Sequence, residues 1–135
     1  MLVCGQVNPP PMKHGYAGVY FGENDNMSEK AQTLKGIPLR VEHNTQVGNV
    51  ITGWVSSDGA LWALAEIDTS RLPGAFTASA VEKGKFKEFS LGYRTKMKKD
   101  PKSGKIVVGK KDILEVSIVR KGARENCKIQ ASEKC

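Results

Sequence analysis

Short runs of alternating apolar and polar residues, separated by turn signals, limit this chain to a fold built mainly from strands. Residues 38–43 (Pro-Leu-Arg-Val-Glu-His) alternate with the period of a half-buried strand. Residues 48–56 and 61–67 form two further runs, and Ser57-Asp58-Gly59 between them is a turn signal. The pattern therefore predicts a β-hairpin preceded by another strand.

The rest of the chain adds more short strands. Residues 22–35 are polar, and we predict a loop there with room for one helical turn. The other predicted strands are residues 2–7, 15–21, 88–97, 105–108, 113–119 and 127–131. Many short strands with one packed helix indicate a β-barrel or a β-sandwich.

The one clear helix is predicted over residues 72–83. Ser70 is its predicted N-cap, Pro73 suits its first turn and Gly84 suits the position after its last residue. Its apolar face would consist of Phe76, Ala80 and Val81.

The positive charge of the chain is concentrated in one stretch. The 135 residues, a length typical of one domain, carry a net charge of +7. Residues 94–124 hold eleven Lys and Arg against three acids, a net of +8. With the aromatic residues Phe86, Phe89 and Tyr93 nearby, this stretch permits a nucleic-acid-binding barrel. A lysine-rich turn at residues 98–102 is more simply a solvated edge, so this remains the alternative hypothesis, beside an inactive structural barrel.

Composition excludes several other classes. No apolar run approaches the ~20 residues of a membrane span, and we expect no secretory signal at the N-terminus. The three cysteines (Cys4, Cys127 and Cys135) are scattered, which predicts reduced thiols and an intracellular protein. With only His14 and His43 and no paired-ligand spacing, we expect neither a metal nor a cofactor.

Glu115 is unusual because its carboxylate lies within an apolar run. Residues 112–119 are otherwise rich in β-branched and aliphatic side chains, and a buried charge needs a partner. The imidazole of His43 is a suitable partner, and Ser90 supplies a hydroxyl that such an imidazole could activate. A lone strand histidine is more often a packed or surface residue, so the residue types permit a catalytic set without assembling it.

Three motifs in order resemble those of the capsid maturation proteases, which comprise the herpesvirus assemblins and the prohead proteases of tailed phages. Gly-Ile-Pro-Leu-Arg-Val-Glu-His-Asn at residues 36–44, with Val-Gly-Asn-Val at 47–50, resembles the first catalytic-histidine motif. Phe-Ser-Leu-Gly-Tyr at residues 89–93 is similar to the motif around the phage-type nucleophile. Leu-Glu-Val-Ser-Ile-Val at 114–119 resembles the third motif, with Glu115 where the herpesvirus branch has a second histidine.

The resemblance implies a fold and an activity. The expected fold is a small β-barrel, closed or partly open, of about six to seven strands with one or two flanking helices. The implied protein is a serine endopeptidase with Ser90 as nucleophile, His43 as base and Glu115 as orienting group. Its implied substrates are scaffold and major capsid protein precursors within the assembling procapsid, in the host cytoplasm for a phage or the host nucleus for a herpes-like virus. No membrane partner is expected, nucleic acid is the less favoured partner, and a homodimer is left open.

The same resemblance indicates oxyanion donors. Gly122-Ala123-Arg124 matches a Gly-Arg-Arg segment that in the herpesvirus branch supplies a backbone amide and an arginine acting with water. This implies the Ala123 amide and the Arg124 side chain, with Arg120 and Lys121 as substitutes if the alignment slips. The competing interpretation of Arg124 is a solvated surface cation.

A short C-terminal pattern suggests self-processing. Ile-Gln-Ala-Ser at residues 129–132 is similar to the herpesvirus-type release site. We therefore expect a single protease domain over residues 1–131, with cleavage between Ala131 and Ser132 leaving 132–135 as a tail.

Overall fold

One curled sheet of seven strands organises the described part of the chain. The computed structural model describes residues 1–10, 26–124 and 126–131, without the side chains of 96–98, 107–110 and 131. The elements are β1 (Leu2–Asn8), α1 (Met27–Thr33), β2 (Pro38–Val41), β3 (Thr45–Val55), β4 (Leu61–Ile67), α2 (Leu72–Glu82), β5 (Glu88–Lys99), β6 (Ile106–Val119) and β7 (Gln130–Ala131). The predicted strand over residues 15–21 lies outside the described residues.

The strands follow the order β5-β6-β2-β3-β4-β1-β7 across the sheet, and the two ends of the sheet meet. β2 and β6 are parallel, and the other pairs are antiparallel. The amide of Phe89 donates to the Cys127 carbonyl at 2.7 Å, and the amide of Ile129 donates to the Lys87 carbonyl at 2.8 Å. The segment before β7 therefore pairs with the start of β5, which gives the partly closed barrel that was predicted.

Alternation along the strands builds the core. In β4 the side chains of Leu61, Ala63, Ala65 and Ile67 are buried and those between them are less so. The predicted hairpin of residues 48–67 is confirmed by the antiparallel pairing of β3 with β4. Phe89 from β5 and Ile118 from β6 are fully buried neighbours in the same core. Each such side chain contributes about 1.5–3 kcal/mol through the removal of apolar surface from water.

β6 is one continuous strand, whereas two strands over residues 105–108 and 113–119 were predicted. The polar residues between them remain in the strand because they pair with β5, with Thr95 opposite Lys111 and Arg94 opposite Asp112. This part of the β5–β6 hairpin pairs with no other described strand. It therefore needs no apolar alternation, and the sequence pattern missed it.

Helix α2 confirms the predicted position but not the predicted cap. Its N-cap is Arg71, which makes no side-chain cap bond. The Ser70 hydroxyl instead donates to the Asp68 carboxylate at 2.5 Å, because a local turn competes for the same group. Gly84 follows the helix with φ +72°, as a residue after a helix end commonly does.

The buried face of α2 also differs from the prediction. Phe76 is 72% exposed, and the buried residues are Gly74, Thr77 and Ala78. Gly74 explains the difference, because a Cβ there would lie 2.6 Å from the carbonyl carbon of Asp68. The helix approaches the sheet through its small residues, which leaves the large aromatic side chain outside.

Helix α1 lies where a loop with one helical turn was predicted. Asn26 caps it by accepting from the Glu29 amide at 3.1 Å. The expectation of three reduced cysteines is wrong for Cys4, which is disulfide-bonded. Cys127 is a buried, reduced thiol, and its burial raises its pKa to about 11. Among the described residues, neither helix has the length and apolarity needed to cross a bilayer.

Candidate active site

A strained turn after β2 carries His43. The predicted strand of residues 38–43 ends at Val41, and Glu42 and His43 have φ of +50° and +59°. Residues other than glycine rarely adopt this left-handed region, at a cost of about 1–3 kcal/mol each. The Glu42 amide donates to the Ile118 carbonyl at 2.9 Å, and the Glu42 carboxylate accepts from the Arg120 amide at 3.0 Å. These bonds turn the chain and bring the imidazole over β6.

Strand register places the other two predicted residues below that turn. Val116 and Ile118 of β6 point into the core, so Glu115 and Ser117 lie on the opposite face of the sheet. Ser90 of β5 is the register partner of Ser117, and it shares that face. The strand alternation thus delivers a hydroxyl and a carboxylate to one surface of the sheet.

The structure brings Ser90, His43 and Glu115 into one hydrogen-bonded row. His43 Nε2 is 3.0 Å from Ser90 Oγ, and His43 Nδ1 is 2.5 Å from Glu115 Oε1. A carboxylate only accepts, so we assign the shared proton to Nδ1, which leaves Nε2 to accept from the serine. The imidazole is 44% exposed, whereas Glu115 is nearly buried. One edge of the row is therefore open to solvent and the other is embedded.

Two further residues shape the row, and neither was predicted as a site residue. Ser117 donates to Glu115 Oε2 at 2.7 Å and accepts from the His43 amide at 2.9 Å. Gly92 lies opposite Glu115, and a Cβ on it would lie 2.6 Å from Glu115 Cγ. The two-residue repeat of a strand could have indicated Ser117, because residues two apart share a face and Ser117 lies two residues after Glu115. Gly92 belongs to the Phe-Ser-Leu-Gly-Tyr motif at residues 89–93, from which only the serine was predicted as a site residue.

The predicted oxyanion residues follow β6. Ala123 is exposed, whereas Arg124 is only 6% exposed and its guanidinium lies 5.7 Å from the centre of the Tyr93 ring. The interpretation of Arg124 as a solvated surface cation is therefore wrong. The Gly122 amide donates to the Glu88 carboxylate at 2.8 Å, which fastens this loop to the start of β5. The oxyanion roles of the Ala123 amide and Arg124 stay predictions.

The predicted self-cleavage site is only half described. Ala131 lies in β7, where it is the register partner of Val3 in β1. Ser132 lies outside the described residues. Within the described ranges, no cluster of three or more histidine, cysteine or acidic side chains is arranged to hold a metal ion.

Comparisons with solved structures identify the fold. The protease of Kaposi's sarcoma-associated herpesvirus, in complex with a hexapeptide phosphonate inhibitor, matches with a TM-score of 0.63 and 17% identity. That match covers 95% of this chain and 63% of the protease. The same viral protease with an allosteric inhibitor matches with a TM-score of 0.57 and 16% identity, over 98% of this chain and 79% of the other. The chain has a herpesvirus-protease fold.

This result confirms the assemblin-like fold that the three motifs implied. A third structure, of the viral protease with a dimer disruptor, matches at 17% identity with a TM-score of 0.55, over 95% of this chain and 73% of the other. No protein-family model and no curated protein matches the chain. At such identities the likeness defines the fold alone, and the chain spans less than two thirds of the first protease.

Proposed function

We propose that this chain is a serine endopeptidase of the capsid-maturation type. The observation that carries the proposal is the row of Ser90, His43 and Glu115, with contacts of 3.0 Å and 2.5 Å, on a herpesvirus-protease fold. A nucleophile, a base and an orienting carboxylate in this order form the working parts of a serine hydrolase. The order of the three motifs in the sequence supports the same assignment.

The row suits acyl transfer by a covalent intermediate. His43 Nε2 removes the proton of the Ser90 hydroxyl as Oγ attacks the scissile carbonyl carbon, and the same nitrogen then gives that proton to the leaving amine. Water hydrolyses the resulting ester by the same steps, which releases the acid and restores the hydroxyl. Glu115 accepts from Nδ1 throughout, so it keeps the tautomer and stabilises the imidazolium. The Ala123 amide and Arg124 are the proposed donors to the oxyanion.

The proposed substrates are scaffold and major capsid protein precursors, and the proposed location is the assembling procapsid, in host cytoplasm or nucleus according to the virus. The sequence resemblance supports both. A homodimer is the oligomeric state to test, since a protease of the same fold was crystallised with a dimer disruptor. Light scattering after gel filtration separates a monomer from a dimer, and a monomer that cleaves its substrate at full rate would exclude dimerisation as a requirement.

The nucleic-acid-binding alternative loses part of its basis. Phe89 is fully buried in the core, so it is unavailable for stacking on a base. The ring of Phe86 lies under Arg120 and the ring of Tyr93 lies under Arg124, each at 5.7 Å. The aromatic residues near the basic stretch therefore do not combine into one open stacking surface.

Covalent labelling tests the proposed activity directly. A fluorophosphonate probe should modify wild type on Ser90, as mapped by mass spectrometry, and should not modify Ser90→Ala. Ser103→Ala is the matched control, because Ser103 is exposed and its hydroxyl bonds within its own turn, to the Asp100 carboxylate and the Lys105 amide. Folded wild type that resists the probe and leaves its cognate scaffold precursor intact would refute the proposal.

Self-cleavage has a separate test. Intact mass after disulfide reduction should show wild type losing residues 132–135 on incubation, while Ser90→Ala keeps them. An identical, uncut tail in both proteins would exclude cleavage between Ala131 and Ser132.

A further inference from the structure

Ser117 connects two parts of the row that are distant in sequence. Its side chain is 0% exposed, on the strand β6 between β5 and β2. Its hydroxyl donates to Glu115 Oε2 at 2.7 Å and accepts from the His43 amide at 2.9 Å. A hydroxyl has one donor, and here that donor is directed at the carboxylate.

The first bond fixes the carboxylate. Glu115 Oε1 faces His43 Nδ1, so Oε2 needs another donor in this nearly buried position. With both oxygens engaged in different directions, the carboxylate plane has one orientation. Without the Ser117 hydroxyl, the carboxylate could rotate about its last bond and weaken the contact with the imidazole.

The second bond fixes the backbone that carries the imidazole. The His43 amide belongs to the turn with φ of +50° and +59°, a conformation that persists only when surrounding groups hold it. Ser117 is flanked by Val116 and Ile118, which are locked in the core, so its Cα position is well anchored. One side chain thus holds both the base and its orienting carboxylate on a rigid strand.

We infer that Ser117 is a positioning residue that aligns Glu115 and His43 through one buried hydroxyl. This inference rests on the proposed function. It goes beyond that function in assigning the alignment of the row to a fourth side chain. A merely structural role would lower stability and leave turnover per folded molecule unchanged, so the two roles predict different measurements.

Steady-state kinetics of folded Ser117 variants provide the first measurement. Ser117→Ala should lower kcat about 10- to 100-fold with KM changed less than about twofold, because misalignment acts on the chemical step. Ser117→Cys keeps the approximate size with a much weaker donor, so it should lose activity to a similar extent. It takes the place of the alanine variant if that variant fails to fold. Ser117→Thr retains the hydroxyl and should recover most of kcat. Thr77→Ala is the control, because it removes another buried hydroxyl, one that donates to the Pro73 carbonyl at 2.8 Å in α2.

A double-mutant cycle separates action through Glu115 from other effects. In a Glu115→Gln background, Ser117→Ala should cost much less than it does in wild type, since the group it orients has changed. Equal losses in both backgrounds would overturn the inference.

A spectroscopic measurement does not depend on turnover. The proton in the short His43–Glu115 bond should give a strongly downfield ¹H NMR signal that is absent in Glu115→Ala. Ser117→Ala or Ser117→Cys should shift or broaden this signal, and Thr77→Ala should not. If folded wild type resists the fluorophosphonate and leaves its scaffold precursor intact while the signal responds, the proposed function fails, and only the alignment of Glu115 and His43 by Ser117 is supported. Unchanged kcat and an unchanged signal in a folded Ser117→Ala variant would overturn the inference alone.

Discussion

Replacing Gly92 with alanine should disable the row without unfolding the protein. Gly92 and Glu115 are register partners on β5 and β6, and the glycine leaves the space that the carboxylate side chain occupies. A Cβ at Gly92 would lie against Glu115 Oε1 and at 2.6 Å from its Cγ and 2.7 Å from its Cδ. Ordinary carbon contacts lie near 3.5–4.0 Å, so the carboxylate must move by about 1 Å.

The expected cost follows from that displacement. A misplacement of about 1 Å in a catalytic group is worth about 100-fold in rate, or about 2.7 kcal/mol in activation free energy. The displaced carboxylate loses its 2.5 Å contact with His43 Nδ1 or its 2.7 Å contact with Ser117. The rate of fluorophosphonate labelling at Ser90 and kcat on a scaffold-derived peptide should both fall by about this factor.

Gly53→Ala is the matched control for this variant. Gly53 is also a strand glycine, and its added Cβ would lie 2.5 Å from Leu34 Cδ1, in the core contact between β3 and the end of α1. Overpacking there should lower the free energy of unfolding by about 1–3 kcal/mol and leave labelling per folded molecule unchanged. The reasoning fails if folded Gly92→Ala is labelled at the wild-type rate, because the carboxylate would then tolerate displacement or have no role.

Three further predictions test neighbouring features. His43→Ala should abolish cleavage while circular dichroism shows that the fold is retained. Glu115→Gln should keep a measurable fraction of the wild-type activity, since an orienting group matters less than the base. Intact activity in His43→Ala would contradict the proposed row. Arg124→Ala should lower kcat about 10- to 1,000-fold with little change in KM, and a wild-type kcat would remove Arg124 from the oxyanion assignment. Burial raises the pKa of Cys127 from 9.0 to about 11, so the folded state keeps the neutral thiol while the unfolded chain ionises. The free energy of unfolding in urea, measured relative to that of Cys127→Ala, should therefore be constant below pH 9 and should fall by roughly 2–3 kcal/mol as the pH approaches 11. Parallel pH profiles of the two proteins would show that this thiol does not contribute to the pH dependence of stability.

The sequence predicted the parts of the fold that depend on local pattern. β4 was predicted with its observed bounds, because the alternation from Leu61 to Ile67 directly reflects one buried face. The long β6 was missed, because cross-strand pairing with β5 and not hydrophobic burial keeps its polar middle extended. The exposed Phe76 was misplaced for a related reason: close approach at Gly74 is a property of the packed helix, which side-chain periodicity does not express.

The candidate site also has parts that local sequence patterns predicted and parts that they did not. The order of three motifs was enough to select His43, Ser90 and Glu115, because each lies in a recognisable local pattern. The turn that aims His43 was missed, since residues 38–43 alternate like a strand. That turn is held by tertiary bonds of Glu42 to the Ile118 carbonyl and the Arg120 amide, which no local pattern encodes.

The residues around Glu115 are suited to a carboxylate as the third group of the row. A carboxylate offers two oxygens, and in a nearly buried position both need donors. His43 supplies one donor and Ser117 the other, while Gly92 leaves room for the side chain between the strands. These two small residues suit a carboxylate in particular, because one adds the hydrogen bond that its second oxygen requires and the other lacks the Cβ that would displace it. Glu115 is therefore best understood as one member of a set of three, in which a change at Gly92 or Ser117 should impair the row as a change at Glu115 does.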